Sequence, residues 1–225
     1  CEEFGFQDPG GHNQFGGCLK ALREPEAKGW FQLPEPQSPK GAPSPRRLSS
    51  SVPPPEGVPA EVSDVVGLEL ILVQQQSQMR IWNELMMGEH PQGAGPLVGR
   101  QVRYLVGSAH GWLGGFGFAA PALQLADRDR WIGWDSEQRR AHLHGVVCLS
   151  RFLIRPSVEC RHLASRLLSM SLQQMGEDFR RRYHYRPWLV ESFLDTSRFS
   201  GTSFRAANWI LVGETKGRGR QDRFS

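Results

Sequence analysis

Residues 146–154 read VVCLSRFLI, a long and mostly apolar run that Pro156 follows two positions later. Such a run predicts a buried strand, and the proline predicts its end because a proline nitrogen cannot donate to a sheet ladder. Further along, Leu163, Leu167 and Met170 recur with helical spacing in a predicted helix over residues 163–174. A long strand followed by an amphipathic helix predicts the centre of an α/β domain.

The segments around this centre alternate between strand and helix patterns. Strands are predicted over residues 65–72, 97–106, 111–120, 188–194 and 209–212, with helix kept as an alternative for 65–72. Helices are predicted over residues 74–87, 122–128, 136–144 and 202–208. The strands over 97–106 and 111–120 form a hairpin, and the second is rich in glycine, as where backbone or ligand comes close. Trp209 is predicted to be a core anchor at the start of the last strand. The pattern predicts a mixed, mostly antiparallel sheet flanked by helices.

Two N-terminal segments precede this domain, which we place at residues 63–225. Residues 1–33 predict a partial helical module with a helix over 15–22 and a short strand over 29–33, an order that resembles the end of a winged helix. There the helix over 16–23 would be the element that meets DNA. The chain begins with Cys1 rather than Met, so we expect residues that complete this module to be missing.

A proline-rich stretch separates the two parts. Nine of the 16 prolines lie in residues 34–60, which contain almost no large apolar side chains. Such a segment buries too little surface to offset the entropy of ordering. We therefore predict a linker over residues 34–62 that is extended or disordered over 34–60 and packs little.

Charge is concentrated toward the C-terminus. The chain has a net charge of +4, and residues 151–186 hold eight arginines against three acids. Guanidinium groups at this density suit phosphate contact, although a solvated helix face with a flexible tail would look the same. The residues that we predict to contact nucleic acid are Arg180, Arg181, Arg182, Lys216, Arg218 and Arg220. No apolar run is long enough to span a bilayer, and the four cysteines lack CxxC spacing, so we expect a cytoplasmic chain with reduced thiols and no metal site.

Several ordered blocks carry a family resemblance. These blocks are LADRD (125–129), IGW (132–134), SRFLI (150–154), GTSFRAANWI (201–210) and GETKGRGR (213–220). Across about residues 63–223 the chain resembles the family of the Druantia anti-phage system protein DruA, a domain also found before the catalytic domain of certain insertion-sequence transposases. Where that family has Asn-Asn before Ser150, this chain has Cys148-Leu149.

The order of strands and helices also resembles the GNAT acyltransferase fold, in which acyl-CoA lies between two splayed strands. That resemblance implies a pyrophosphate loop at residues 157–162, with Arg161, His162 and Arg166 as the cofactor-binding side chains. The loop has no glycine, and Glu159 would repel phosphate. Phe204 occupies the position where the superfamily has a tyrosine acid, and phenylalanine donates no proton.

Two carboxylates near the predicted strand over 188–194 are the candidates for catalysis. Glu191 lies in an apolar run, so burial would raise its pKa and suit a general base, with Asp195 following it. The alternative is a buried structural carboxylate paired with Arg151 or Arg205. The charged run at residues 127–130 similarly predicts either a polar site or a salt-bridged helix end.

These observations favour a DNA-associated accessory domain of a mobile-element transposase or an anti-phage defence protein, and leave open whether the chain is an enzyme. The expected partners are DNA and either a transposase catalytic domain, after Ser225 or on another chain, or other defence-system subunits. No membrane partner is expected. One alternative is an acyltransferase that uses acyl-CoA as its cofactor, and another is a structural protein-interaction module.

Overall fold

The computed structural model describes residues 22, 25–32, 45 and 47–215, and the chain divides into two units over residues 1–43 and 44–225. In the first unit, residues 25–27 are helical and the backbone then turns, with Gly29 at a positive φ of 74°. The Trp30 amide donates to the Pro25 carbonyl, 3.1 Å away. This turn makes the strand predicted over 29–33 wrong for its described residues. Apart from Leu22, the helix predicted over 15–22 lies outside the described residues.

The second unit contains a five-stranded sheet in the order β1-β2-β3-β4-β5. Its strands are β1 (Glu69–Leu72), β2 (Val102–Gly107), β3 (Gly114–Ala119), β4 (Val146–Ile154) and β5 (Leu189–Ser192). The first four strands pair antiparallel, and β5 pairs parallel to β4. The mixed, mostly antiparallel sheet that the sequence predicts is confirmed.

Five helices accompany the strands. They are α1 (Gln76–Glu89), α2 (Ala126–Ile132), α3 (Ser136–His142), α4 (Leu163–Tyr183) and α5 (Thr202–Ala206). Helix α3 is capped at its start by Asp135, whose carboxylate accepts hydrogen bonds from the amides of Glu137 and Gln138, both at 2.8 Å. Helix α4 runs nine residues past the predicted end at Gln174 and includes the arginines at 180–182.

Helix α4 covers one face of the sheet. Its buried residues Leu167 and Phe179 pack with Tyr104 of β2 and Phe118 of β3 in one core cluster. The Tyr104 hydroxyl donates a 2.7 Å hydrogen bond to the buried carboxylate of Asp178 in α4. Burial, together with this bond, raises the pKa of Tyr104. The bond ties the second half of α4 to the sheet, because both partners would otherwise be buried polar groups without a match.

Helix α1 covers the opposite face. Trp82 lies across β3 and donates from Nε1 to the carbonyl of Phe116 at 2.9 Å. A Cβ atom on Gly115 or Gly117 would lie 3.3 or 3.2 Å from the Trp82 ring, so these glycines admit the close approach of the indole. The glycines of β3 therefore accommodate a side chain of this same chain.

The segment over residues 47–62 packs on this second unit. Val52 is buried in the core cluster beneath α1, and its carbonyl accepts a 3.0 Å hydrogen bond from Arg155. Arg47 forms a 2.7 Å ion pair with Glu84 of α1. The linker prediction therefore needs correction for residues 47–62, because backbone carbonyls, the buried Val52 and the partly buried Leu48, Val58 and Val62 hold the proline-rich chain in place. The rest of the predicted linker, apart from residue 45, lies outside the described residues.

The strand predicted over residues 209–212 does not form. These residues pair with none of the described strands, and Ile210 and Leu211 are exposed. Trp209 is half-buried and its ring lies 5.1 Å from that of Phe204, so its packing role agrees with the prediction although the strand is wrong. Strand propensity alone does not make a strand without a paired neighbour.

Candidate nucleic-acid interface

The C-terminal end of α4 carries the three arginines that the sequence singled out there. Arg180 and Arg181 both reach Glu177, with nitrogen–oxygen distances of 2.7 and 3.2 Å to the same oxygen. Their side chains remain 63% and 72% exposed. Hydrogen bonds and charge from the two arginines lower the pKa of Glu177 to about 2. A single carboxylate shared by two guanidinium groups leaves this surface positively charged.

A fourth arginine joins this group from the loop before β2. Arg182 stacks over Tyr183 at 5.5 Å, and Arg100 stacks over Tyr185 at 4.9 Å. The Tyr183 hydroxyl also donates to the carbonyl of Gln101, which brings that loop to the end of α4. We call Arg100, Arg180, Arg181 and Arg182 the basic patch. Sequence reasoning missed Arg100 because no local pattern links the loop to α4.

Part of the patch has a structural explanation as well. The last carbonyls of a helix carry partial negative charge, so cations near that end are stabilising. Exposed guanidinium groups nevertheless keep most of their hydrogen-bond donors available to phosphate oxygens. The predicted tail residues Lys216, Arg218 and Arg220 lie outside the described residues.

The loop predicted to hold an acyl-CoA pyrophosphate is occupied by contacts within the chain. The Arg161 amide donates to the Ala60 carbonyl at 2.7 Å, and the Arg161 side chain forms an ion pair with Glu61. His162 precedes α4 with a positive φ of 62°. The predicted cofactor-binding residues are thus neighbours, but one amide of the loop and the Arg161 guanidinium are already engaged.

The third predicted member of that group, Arg166, borders a cavity. The cavity has a volume of about 490 Å³ and is otherwise lined by Val62, Ser63, Val65, Leu68 and Met170. Its lining combines apolar side chains with one guanidinium and one hydroxyl for polar contact. This arrangement differs from the backbone cradle that a pyrophosphate requires.

The carboxylate of Glu191 is buried and fully engaged. Its Oε1 accepts a 2.7 Å hydrogen bond from the Ala122 amide, and its Oε2 lies 3.0 Å from Arg128 Nη1. The partner is therefore Arg128, whereas the sequence suggested Arg151 or Arg205. Arg151 instead donates to the Gly93 carbonyl at 2.9 Å.

Asp195, the other catalytic candidate, lies outside this buried group. It is exposed, and its Oδ1 accepts hydrogen bonds from the Ser197 hydroxyl at 2.6 Å and the Ser197 amide at 3.1 Å. These bonds lower the pKa of Asp195. Asp195 stabilises a turn, and Glu191 belongs to a buried ion pair.

That ion pair is part of a larger buried network. Arg128 Nε donates to Asp129 Oδ1 at 2.9 Å, and Arg139 Nη1 contacts Asp129 Oδ2 at 3.1 Å. Arg128 Nη2 lies 2.8 Å from Asp129 Oδ1 but makes no directed hydrogen bond with a described residue. Two arginines and two carboxylates balance in charge and join α2, α3 and β5. Of the two interpretations of the charged run at 127–130, the salt-bridged helix end agrees with these contacts.

Strand β5 pairs along its whole length, but only with the first part of β4. The parallel register ends at Leu149 and Ser192, and β4 continues to Ile154 without β5. Helix α5 lies beside this half of β4, with the Phe204 ring 6.2 Å from that of Phe152. Aromatic side chains of the chain itself therefore pack next to the unpaired part of β4.

Within the described residues, no group of three or more His, Cys, Asp or Glu side chains is arranged to hold a metal ion. The same part of the chain has no helix with the length and apolar character needed to cross a membrane.

Comparison with known protein families relates most of the chain to a family. A model of the family described as Druantia protein DruA matches residues 38–225, while no curated protein and no solved structure matches the chain. The matched range begins before the segment at 47–62, which packs on the second unit. It also includes the basic patch and the buried network around Arg128. The chain therefore belongs to the family of Druantia protein DruA, which relates it to anti-phage defence.

Proposed function

We propose that this protein is a DNA-associated accessory module, of an anti-phage defence protein or of a mobile-element transposase, and that its basic patch contacts the phosphate backbone. The observation that carries the proposal is the gathering of four arginines at one end of α4, of which only two share a carboxylate, Glu177. Phosphate contact would explain why the four guanidinium groups of the basic patch are exposed to solvent together.

The chemistry of the patch fits backbone contact better than base recognition. Arg180 and Arg181 are largely exposed, and the exposed Arg100 and Arg182 place their guanidinium carbons 4.9 and 5.5 Å from tyrosine ring centroids, which leaves donors of all four for phosphate oxygens. The arginines sit at the end of α4 rather than along a helix face that could enter a groove. We therefore expect binding that depends on salt and little on sequence.

An accessory role agrees with the state of the two candidate catalytic carboxylates. Glu191 is occupied by Arg128 and Ala122, and Asp195 by Ser197. With both committed to structural contacts, any reaction on DNA would be carried out by another domain or another subunit. The partners would be a transposase catalytic domain or other subunits of the defence system.

Salt-dependent DNA binding by fluorescence anisotropy tests the proposal. The double variant Arg181→Gln with Arg182→Gln should bind duplexes of unrelated sequence equally weakly, and its slope of log K against log salt should flatten by about 0.9 for each phosphate that is no longer neutralised. Arg80→Gln is the control, because Arg80 is exposed on α1 at the opposite face of the sheet. Wild-type protein without salt-sensitive affinity would contradict the proposal and favour a structural protein-interaction module. Weaker binding of one sequence alone would instead mean that the arginines read bases.

The part of β4 that extends past the end of β5 favours one alternative function. A GNAT-like acyltransferase would bind acyl-CoA beside β4 after Leu149, where β5 has ended at Ser192, with His162 and Arg166 near the pyrophosphate. The glycine-free loop, the engaged Arg161 and the Phe204 position argue against it. Isothermal titration with acetyl-CoA tests the alternative: saturable binding that Arg166→Ala removes would support it, and no heat of binding would exclude this cofactor.

A further inference from the structure

A row of rings continues from the basic patch across the surface. Its members, in order, are Tyr185, His144, Trp188, His142 and Trp134. Neighbouring ring centroids are 6.4, 5.6, 6.0 and 6.0 Å apart. We call this set the aromatic row. The rings come from three places in the chain: the end of α2, the region of α3 with the 3-10 turn that follows it, and the loop after α4.

Trp188 is a largely exposed member of the row whose ring the backbone supports. It is 65% exposed, although tryptophan is on average a highly buried residue. Its amide donates a 2.8 Å hydrogen bond to the Gly145 carbonyl. A Cβ atom at Gly145 would lie only 2.6 Å from the indole, so the ring rests directly on the glycine backbone. One face of Trp188 is therefore held by the protein while much of the ring remains open to a ligand.

The aromatic row and the basic patch form one continuous surface. Tyr185 and Tyr183 both pack against the buried Phe179, at centroid distances of 5.9 and 5.3 Å. Arg100 lies over Tyr185 and Arg182 over Tyr183, so positive charge begins where the row ends. Single-stranded nucleic acid is bound by this combination: aromatic rings stack with the bases, and nearby arginines contact the phosphate backbone.

We propose that this surface binds single-stranded DNA, with unpaired bases stacked on Trp188 and the aromatic row and the phosphates on the basic patch. The inference rests on the proposed function and narrows its substrate class. In a duplex the bases already stack on one another, so the row would gain nothing from duplex DNA. A single strand gains both sets of contacts.

The first test compares the wild-type protein on matched probes. A labelled oligonucleotide of mixed sequence and about 12 nucleotides is titrated alone, then annealed to its complement, and then as the corresponding RNA. We expect the single DNA strand to bind at least about 5-fold more tightly than the duplex, because one stacked base contributes about that factor. Equal affinity for single strand and duplex would overturn the inference. Tighter binding of the RNA would overturn the assignment to DNA.

The second test substitutes Trp188 in the aromatic row. Trp188→Ala should weaken single-strand binding about 10-fold and leave duplex binding unchanged, whereas Trp188→Phe should retain most of the affinity because it keeps an aromatic face. Trp131→Ala is the matched control, since Trp131 is also half-exposed, at 51%, and belongs to no ring contact of the row. An equal loss on both probes with Trp188→Ala would mean a structural role. No loss on either probe would mean that the row is not the binding surface.

These results separate the inference from the function on which it rests. Duplex binding that falls with salt, without preference for the single strand, would leave the DNA-associated role in place and overturn only the stacking surface. No affinity for any probe at low salt would overturn both.

Discussion

At the scale of single residues, the buried charges around Arg128 depend strongly on neighbouring groups to compensate for their removal from water. Arg128 is 2% exposed, and its guanidinium serves Asp129, Glu191 and the Ala122 carbonyl together. Charges removed from water in this way are tolerated only when paired and hydrogen-bonded. The network therefore explains how Glu191 can lie buried in a mostly apolar part of the chain.

We predict that Arg128→Met lowers the free energy of unfolding by roughly 3–5 kcal/mol, because Glu191 then keeps a buried charge without its arginine. Arg130→Met is the control: Arg130 is 78% exposed and pairs with Asp127 at the surface, so its loss should change stability by less than about 1 kcal/mol. Urea unfolding measures both. A similar small effect for the two variants would show that water solvates the carboxylate of Glu191 once Arg128 is replaced.

At the scale of elements, a histidine at the end of α1 makes the stability of the fold depend on pH. His90 follows the helix, its amide donates to the Met86 carbonyl, and its Nδ1 accepts a 3.1 Å hydrogen bond from the Gln92 amide. Burial, with the nearby charge of Arg151, lowers the pKa of His90 from 6.5 to about 4. An accepting Nδ1 must be unprotonated, so the hydrogen bond independently favours the neutral ring.

The folded protein therefore binds fewer protons than the unfolded chain between about pH 4 and 6.5. Stability contributed by His90 is present above pH 6.5 and is lost as the pH falls toward 4. We predict that His90→Asn lowers the slope of the unfolding free energy against pH in this window. The decrease corresponds to at most about one bound proton, since asparagine retains an acceptor but does not titrate. Unfolding curves at several pH values test this, and an unchanged slope would contradict it.

The elements also show what local sequence can reveal. Both ends of strand β4 are predicted correctly, because a buried strand needs an apolar run and Pro156 marks where that run stops. Helix α4 is predicted at its start but not at its end, because the apolar spacing weakens while Asp178 and Phe179 still pack on the sheet. The strand over 209–212 fails because pairing with a neighbour is not visible in propensity.

The candidate sites divide in the same way. Arg180 and Arg181 follow Glu177 at three and four positions, so their meeting at this carboxylate on a helix follows from local spacing. Arg100 and Trp188 could not be assigned, because their neighbours come from distant parts of the chain. Glu191 could be recognised as a buried carboxylate, but its partner Arg128 lies 63 residues away in the chain.

At the scale of the whole molecule, the second unit is a sheet between two layers. Helix α4 packs on one face, and α1 packs on the other together with the segment over residues 47–62. Arg155, at the end of β4, donates to the carbonyls of Val52 and Pro53 and forms a 2.7 Å ion pair with Glu89 of α1. One buried guanidinium thus fastens the segment to both the sheet and the helix. A proline-rich chain with few apolar anchors can still order when its carbonyls find a donor of this kind.

If the segment is part of the folded unit, its one deeply placed apolar side chain should contribute to global stability. We predict that Val52→Ala lowers the free energy of unfolding by about 2 kcal/mol, because two methyl groups leave a core cluster and a small cavity remains. Val66→Ala is the matched control, since Val66 is 65% exposed and should change stability by less than about 0.5 kcal/mol. Both are measured by urea unfolding, and proteolysis within residues 52–60 should become faster only in the Val52 variant. Equal stability of the two variants, with rapid cleavage of the wild type in this segment, would restore the boundary at residue 63 and return these residues to the linker.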